Sequence, residues 1–205
     1  MTDTGTLFII SAPSGTGKTS LVTEVIKNLD NIVVSISYTT RPKRKREEHG
    51  KHYYFVDDAT FQAMIKQELF LEHANVFGNF YGTSKLWIDN ELKKNNDVIL
   101  AIDWQGAVAA KAKVSNAISI FILPPSLEAL QQRLIDRKQD SNDVIEKRMA
   151  QAKANITHYK DYEYIIINDS FDRARDDLIA IIKARRLNIS VKSNAVQSFV
   201  NKLIS

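Results

Sequence analysis

The stretch from Leu7 to Thr19 constrains this chain more than any other. Leu7-Phe8-Ile9-Ile10 is an unbroken apolar run, the pattern of a parallel strand buried on both faces. It leads into Ser11-Ala12-Pro13-Ser14-Gly15-Thr16-Gly17-Lys18-Thr19, and a helical pattern begins with Ser20-Leu21-Val22. A buried strand, a turn of small residues and a helix opening on Gly-Lys-Thr form a Walker A pattern, with Ala12 standing where the strict pattern has glycine. Glycines let the backbone approach phosphate oxygens, and successive N–H groups with the helix N-terminus supply positive potential. The turn from Ala12 to Thr19 is therefore expected to cradle the phosphates of a nucleoside triphosphate. Lys18 would reach the outer phosphates and the Thr19 hydroxyl would bind Mg²⁺.

The rest of the chain must supply a sheet for that strand. Leu21, Val22, Val25, Ile26 and Leu29 predict a helix from about Thr19 to Asn28, and Ile32–Ile36 a second buried strand. The polar, basic segment 37–50 is expected to be irregular. Tyr53–Val56 reads as a short strand, followed by a helix capped by Asp57 or Asp58. Residues 70–77 read as part of a hairpin turning near Gly78-Asn79, and Gly82-Thr83-Ser84 as the lead into a helix. Further buried strands are expected at Asp97–Asp103, Ala117–Leu123 and Tyr164–Ile167. Helices are expected at Gly106–Val114, from Ser126 to about Arg137, from Ser141 or Asn142 to about His158, and at Phe171–Leu187. Alternating strands and helices predict an α/β fold with a parallel sheet flanked by helices. The expected layout is one domain over 1–205, with a core (1–36, 89–125, 162–205), a mixed α/β insertion (37–88) and a helical lid (126–161). At 205 residues such a domain can bury a proper core.

In this fold class ligands bind at the carboxyl ends of the strands. There the sequence sets the phosphate turn, Ser37 with its basic segment, Asp103 and Asn168. Asp103 ends an apolar strand, where it can serve Mg²⁺ or a substrate, or simply cap the next helix. Arg133, Arg137 and Arg148 form a second group. Arginines that close on a transferring phosphoryl group neutralise its spread charge, although arginines on helices are often solvated face residues.

Other features favour plainer readings. The net charge of +4 suits anionic ligands, and Lys43-Arg44-Lys45-Arg46, followed at once by Glu47-Glu48 without interleaved aromatics, reads as a solvated loop and not a nucleic-acid patch. The three nearby histidines (His49, His52, His73) lack the companions of a metal site. Cysteine is absent, which fits a cytoplasmic setting, and no apolar run reaches membrane-spanning length. The stripe Val196, Phe199, Val200, Leu203 predicts a terminal amphipathic helix docked on its own core, with a homodimer contact as the alternative.

Ser11–Thr19, Ser37-x-x-Thr40-Arg41-x-x-Arg44, His52-Tyr53-x-Phe55, Phe70-Leu71-Glu72, Gly78–Thr83 and Ile102–Gly106 together resemble guanylate kinases of bacterial type. Leu123–Ser126, Arg133-Leu134-x-x-Arg137, Arg148-Met149-x-Gln151-Ala152 and Ile167-Asn168-Asp169 continue the resemblance in the same order, over about residues 5–187. The resemblance implies Mg²⁺-dependent phosphoryl transfer from ATP to GMP, with dGMP as a second acceptor. It implies that Arg41, Arg44, Tyr53 and Tyr81 hold the GMP phosphate, and that Glu72 accepts from guanine N1–H and the 2-amino group. Ser37 and Thr83 would reach the base edge with Asp103 nearby, and Asn168 the adenine of ATP. Lys18, Arg41, Arg133, Arg137 and Arg148 would surround the transferring group. The acid often found two residues before Asp103 in this family is Ala101 here, and Lys138-Gln139 follow Arg137 where Gly-Thr is common. Two other classes compete: a guanylate-kinase-like binding module without activity, and a phosphate-loop kinase for another small phosphate ester. The retained Lys18, Thr19, Arg41 and Arg137 oppose the first, and Glu72 with Tyr81 opposes the second.

Overall fold

A computed structural model describes residues 4–76, 78–136, 141–188 and 193–205, with the side chains of 193–195 excluded. Its centre is a parallel sheet of five strands. β1 (Leu7–Ser11) lies in the middle, hydrogen-bonded on one side to β7 (Asp97–Ala101) and on the other to β8 (Ile118–Leu123). β2 (Ile32–Val34) and β9 (Tyr164–Ile167) form the edges, giving the order β2-β7-β1-β8-β9. Because strand side chains alternate, the apolar run at the start splits between two cores. Phe8 and Ile10 pack with Leu21, Val22 and Val25 of α1 (Lys18–Asn28) and with Ala174, Leu178 and Ile182 of α7 (Phe171–Leu187). Leu7 and Ile9 face the other way, toward Ile88 of α3 (Lys85–Lys93) and Ala107 and Ala110 of α4 (Trp104–Lys113). Helices thus cover both faces, as expected, and the buried runs of β1 and β7 are what that requires.

Between β2 and β7 the chain builds a second sheet in the order β4-β3-β6-β5. Its strands are β3 (Tyr38–Thr39), β4 (Tyr54–Phe55), β5 (Phe70–Val76) and β6 (Asn79–Ser84), with α2 (Asp58–Lys66) between β4 and β5. Phe61 of α2 is buried, stacking on Phe70 and Phe80 with centroids 4.7 and 5.5 Å apart. The Asp57 carboxylate accepts from the Thr60 amide at 2.7 Å, the expected cap. After β8 come α5 (Leu127–Asp136), α6 (Asn142–Ile156) and a 3-10 turn (Thr157–Asp161); α8 (Ser193–Ile204) ends the chain.

Several expected boundaries move. β2 stops at Val34 because the chain leaves the main sheet there and re-pairs four residues later as Tyr38-Thr39, inside the segment expected to be irregular. Gly82-Thr83-Ser84 is strand, held by pairing to β5 and β3; only Ser84 acts as the α3 cap. β7 ends at Ala101, and α4 begins at Trp104 because Asp103 caps it. The stripe of α8 is not packed on the core: Phe199 and Leu203 are 63% and 68% exposed. No helix among the described residues is long and apolar enough to cross a membrane.

Candidate active site

One cleft of about 640 Å³ opens at the carboxyl end of the main sheet. One wall is the turn between β1 and α1. Gly15 and Gly17 take φ of +97° and +98°, values that residues with a Cβ rarely adopt. Gly15 is also pinned from behind: a Cβ there would lie 2.9 Å from Leu134 and 3.0 Å from Leu130, both on α5. Thr16 is fully buried and holds the turn closed, its hydroxyl donating to the Pro13 carbonyl at 2.9 Å. Its own carbonyl accepts from the Asn168 side-chain amide at 2.7 Å and from Arg133 at 3.3 Å, while Arg133 also donates to the Asn168 carbonyl at 2.9 Å. Asn168 and Arg133 therefore sit beneath the turn and do not line the cleft. The Asn168 side-chain oxygen is buried without a partner.

Lys18 crosses from α1 to the opposite strand end and donates to the Ile102 carbonyl at 2.6 Å. Burial lowers its pKa to about 8, against the attraction of Asp103 and Glu72, which raises it. The Asp103 carboxylate accepts from the Gly106 amide at 2.8 Å and so caps α4. Asp103 lines the cleft as well.

The second sheet forms the facing wall. Glu72 on β5 is 3% exposed, and its carboxylate accepts from the Thr83 hydroxyl on β6 at 2.5 Å. A Cβ on residue 106 would fall 2.6 Å from the Glu72 carboxylate, so glycine at this position lets α4 lie against it. Burial pushes the Glu72 pKa up to about 7; the Thr83 hydrogen bond opposes this and nearby Asp103 adds to it. Ser37 stands 3.5 Å from the Thr83 hydroxyl. Arg41, Arg44, Tyr53 and Tyr81 line the same wall, with the Arg41 guanidinium 5.4 Å from the Tyr53 ring centroid. Tyr53 and Tyr81 meet edge to face at 5.9 Å.

From α6 come Val144, Lys147, Arg148 and Asn155. Of these only Arg148 was expected; Val144, Arg148 and Asn155 are four and seven residues apart, a helical stripe legible in the sequence. Arg137 lies outside the described residues. The cleft thus gathers Ala12 to Gly15, Gly17 to Thr19, Ser37, Arg41, Arg44, Tyr53, Glu72, Tyr81, Asp103 and Arg148. Thr83 lies just behind Glu72. No group of three or more His, Asp or Glu side chains that could hold a metal occurs among the described residues. Hard oxygens lining the cleft near the turn include the Thr19 hydroxyl and the Asp103 carboxylate. Such a sparse set suits Mg²⁺, which keeps most of its waters and takes one or two protein ligands with phosphate oxygens.

The sequence profile of the family described as "Guanylate kinase" matches residues 4–185. This chain belongs to the guanylate kinase family. The guanylate kinase of Coxiella burnetii is 50% identical over 97% of this chain and 96% of its own length. That of Escherichia coli (strain K12) is 50% identical over 98% of both. In crystal, the guanylate kinase from Anaplasma phagocytophilum superimposes with a TM-score of 0.77 at 34% identity, covering 91% of this chain and 88% of that one. The parallel sheet with flanking helices is thus the fold of the family, as the sequence led us to expect.

Proposed function

We propose that this chain is an ATP:GMP phosphotransferase, converting ATP and GMP to ADP and GDP, with dGMP as a second acceptor. The observation that carries the reading is the buried Glu72 carboxylate, facing the same cleft as Lys18 and the phosphate turn. Guanine offers two adjacent donors, N1–H and the 2-amino group, to the two oxygens of one carboxylate. Adenine offers no such pair and would leave Glu72 unsatisfied. None of these contacts involves the ribose 2′-hydroxyl, hence the expectation for dGMP.

In this reading the turn from Ala12 to Thr19 holds the triphosphate of ATP through its backbone N–H groups. Arg41, Arg44, Tyr53 and Tyr81 hold the GMP phosphate, where guanidiniums supply charge-assisted hydrogen bonds and phenols supply neutral ones. A GMP phosphate oxygen forms a bond to the γ-phosphorus as its bond to the β-bridging oxygen breaks. That oxygen is already anionic, so no general base is required. The Lys18 ammonium has three donors, and its one bond to Ile102 leaves two for the transferring group. Arg148 and Arg137 would add positive charge from the lid, and Arg133 would act with them through the turn it holds. Thr19, with Asp103 nearby, would hold Mg²⁺, which supplies charge neutralisation at the phosphates.

The insertion over 37–88 is the GMP-binding region of this account, and 126–161 the lid. Their closure would bring the two phosphates together and exclude water that would otherwise hydrolyse ATP. The cysteine-free chain supports a cytoplasmic setting, and the exposed Phe199 and Leu203 of α8 are where a homodimer contact would form. The test incubates the folded protein with ATP, Mg²⁺ and GMP. ADP and GDP are expected in equal amounts, and a folded protein that makes no GDP overturns the reading.

A further inference from the structure

Glu47 directly follows the basic run Lys43–Arg46 between β3 and β4, in a stretch whose sequence reads as a solvated loop. Its contacts are more specific. One carboxylate oxygen accepts from the Arg41 guanidinium at 2.8 Å, and the other accepts from the Arg44 main-chain amide, also at 2.8 Å. Both Arg41 and Glu47 side chains are only 15% exposed. Arg41 also donates to the Pro42 carbonyl at 2.8 Å, and its main-chain amide to the Thr39 hydroxyl at 3.1 Å. Arg41 and Arg44 line the cleft, whereas Glu47 does not: it lies behind them.

We propose that Glu47 is a positioning residue for the acceptor phosphate, bridging the Arg41 side chain and the Arg44 main chain so that both arginines face the cleft in one arrangement. The inference rests on the reading that these two arginines take the phosphate of GMP. An arginine side chain samples many rotamers, and a phosphate that must order two of them loses affinity accordingly. A carboxylate that has ordered the Arg41 side chain and fixed the Arg44 main chain beforehand removes part of that cost. It also adds a negative charge near the phosphate, but on the far side of the guanidinium, where the intervening cation offsets it. Ordering should therefore win over repulsion. The carboxylate is suited to a standing ion pair: although burial pushes its pKa up, the Arg41 and Arg44 hydrogen bonds bring it below the ordinary value.

The test is steady-state kinetics on Glu47→Gln, with thermal melts to show that the variant is folded. Glutamine keeps the shape but sets an amide donor against a donor, so one of the two contacts is lost. The GMP KM is expected to rise roughly tenfold, with the ATP KM and the inhibition constant of guanosine, which has no phosphate, held within about twofold. Glu47→Asp, which keeps the charge on a shorter stem, should fall between the two proteins. In an Arg41→Met background the Glu47→Gln change should alter the GMP KM by less than about twofold, because the side chain it orders is gone and the Arg44 amide can still be met by the glutamine carbonyl. Wild-type protein that makes no GDP from GMP would remove the underlying reading and this inference with it. Wild-type turnover with an unchanged GMP KM in Glu47→Gln would overturn this inference alone. So would a lowered GMP KM, marking Glu47 as a competing counter-charge, or a parallel rise for GMP, ATP and guanosine, marking a general structural role.

Discussion

At the scale of single residues, Glu72 carries a conflict between stability and recognition. Its pKa is raised from 4.5 to about 7, first by burial. A carboxyl whose folded pKa is raised stabilises fully below the unfolded value, and that contribution is lost as pH rises through the folded value. Without nucleotide, the protein should therefore lose stability between about pH 4.5 and 7, to a limit of about 3 kcal/mol from this group. Glu72→Gln, neutral at every pH, should melt above wild type at pH 8, by an amount that shrinks toward pH 5. A difference that stays flat from pH 5 to 8 would show that Glu72 is not buried in this way. Under the proposed function, guanine donating twice to the ionised carboxylate would reverse the penalty when GMP binds. The sequence identified Glu72 through a family motif; its burial, its 2.5 Å bond from Thr83 and its approach to Gly106 depend on pairings between elements that spacing does not encode.

At the scale of elements, α5 and the phosphate turn behave as one unit. Leu130 and Leu134 are fully buried, and their methyl groups fill the space that a Cβ on residue 15 would need. Arg133, on the same helix, ties down the Thr16 carbonyl. Leu134→Ala should cost about 2–5 kcal/mol through the cavity it leaves. It should also raise the ATP KM several-fold while leaving the GMP KM within about twofold, since the turn loses its backing and the facing wall does not. KM values for both substrates moving together in steady-state assays would contradict this coupling. Strands and helices of the main sheet were legible because their apolar runs must be buried on both faces. β4 was legible in Tyr53–Val56, but β3 was not: the two-residue strand Tyr38-Thr39 exists only through partners distant in sequence, Tyr54-Phe55 and Tyr81-Gly82. The placement of Arg133 and Asn168 beneath the turn was illegible for the same reason. The family resemblance suggested contacts with phosphate and adenine, but only the fold decides which face of the turn each side chain meets.

At the scale of the whole molecule, two sheets face each other across one cleft. The main sheet brings the phosphate turn, Lys18 and Asp103; the second sheet brings Glu72 and the arginine–tyrosine wall; α6 adds Arg148 from a third side. A mild excess of positive charge overall, gathered where two anionic substrates would meet, fits that division. The central claim is that the second sheet selects guanine through one buried carboxylate. The most direct measurement is kcat/KM for GMP against AMP, with ATP as donor, in wild type and in Glu72→Gln. Wild type should favour GMP by about 10⁴-fold or more, and the variant should lose at least about 100-fold of that preference, because glutamine can accept from only one of guanine's two donors. A wild-type enzyme that turns over AMP comparably, or a Glu72→Gln variant with undiminished preference for GMP, would contradict the account.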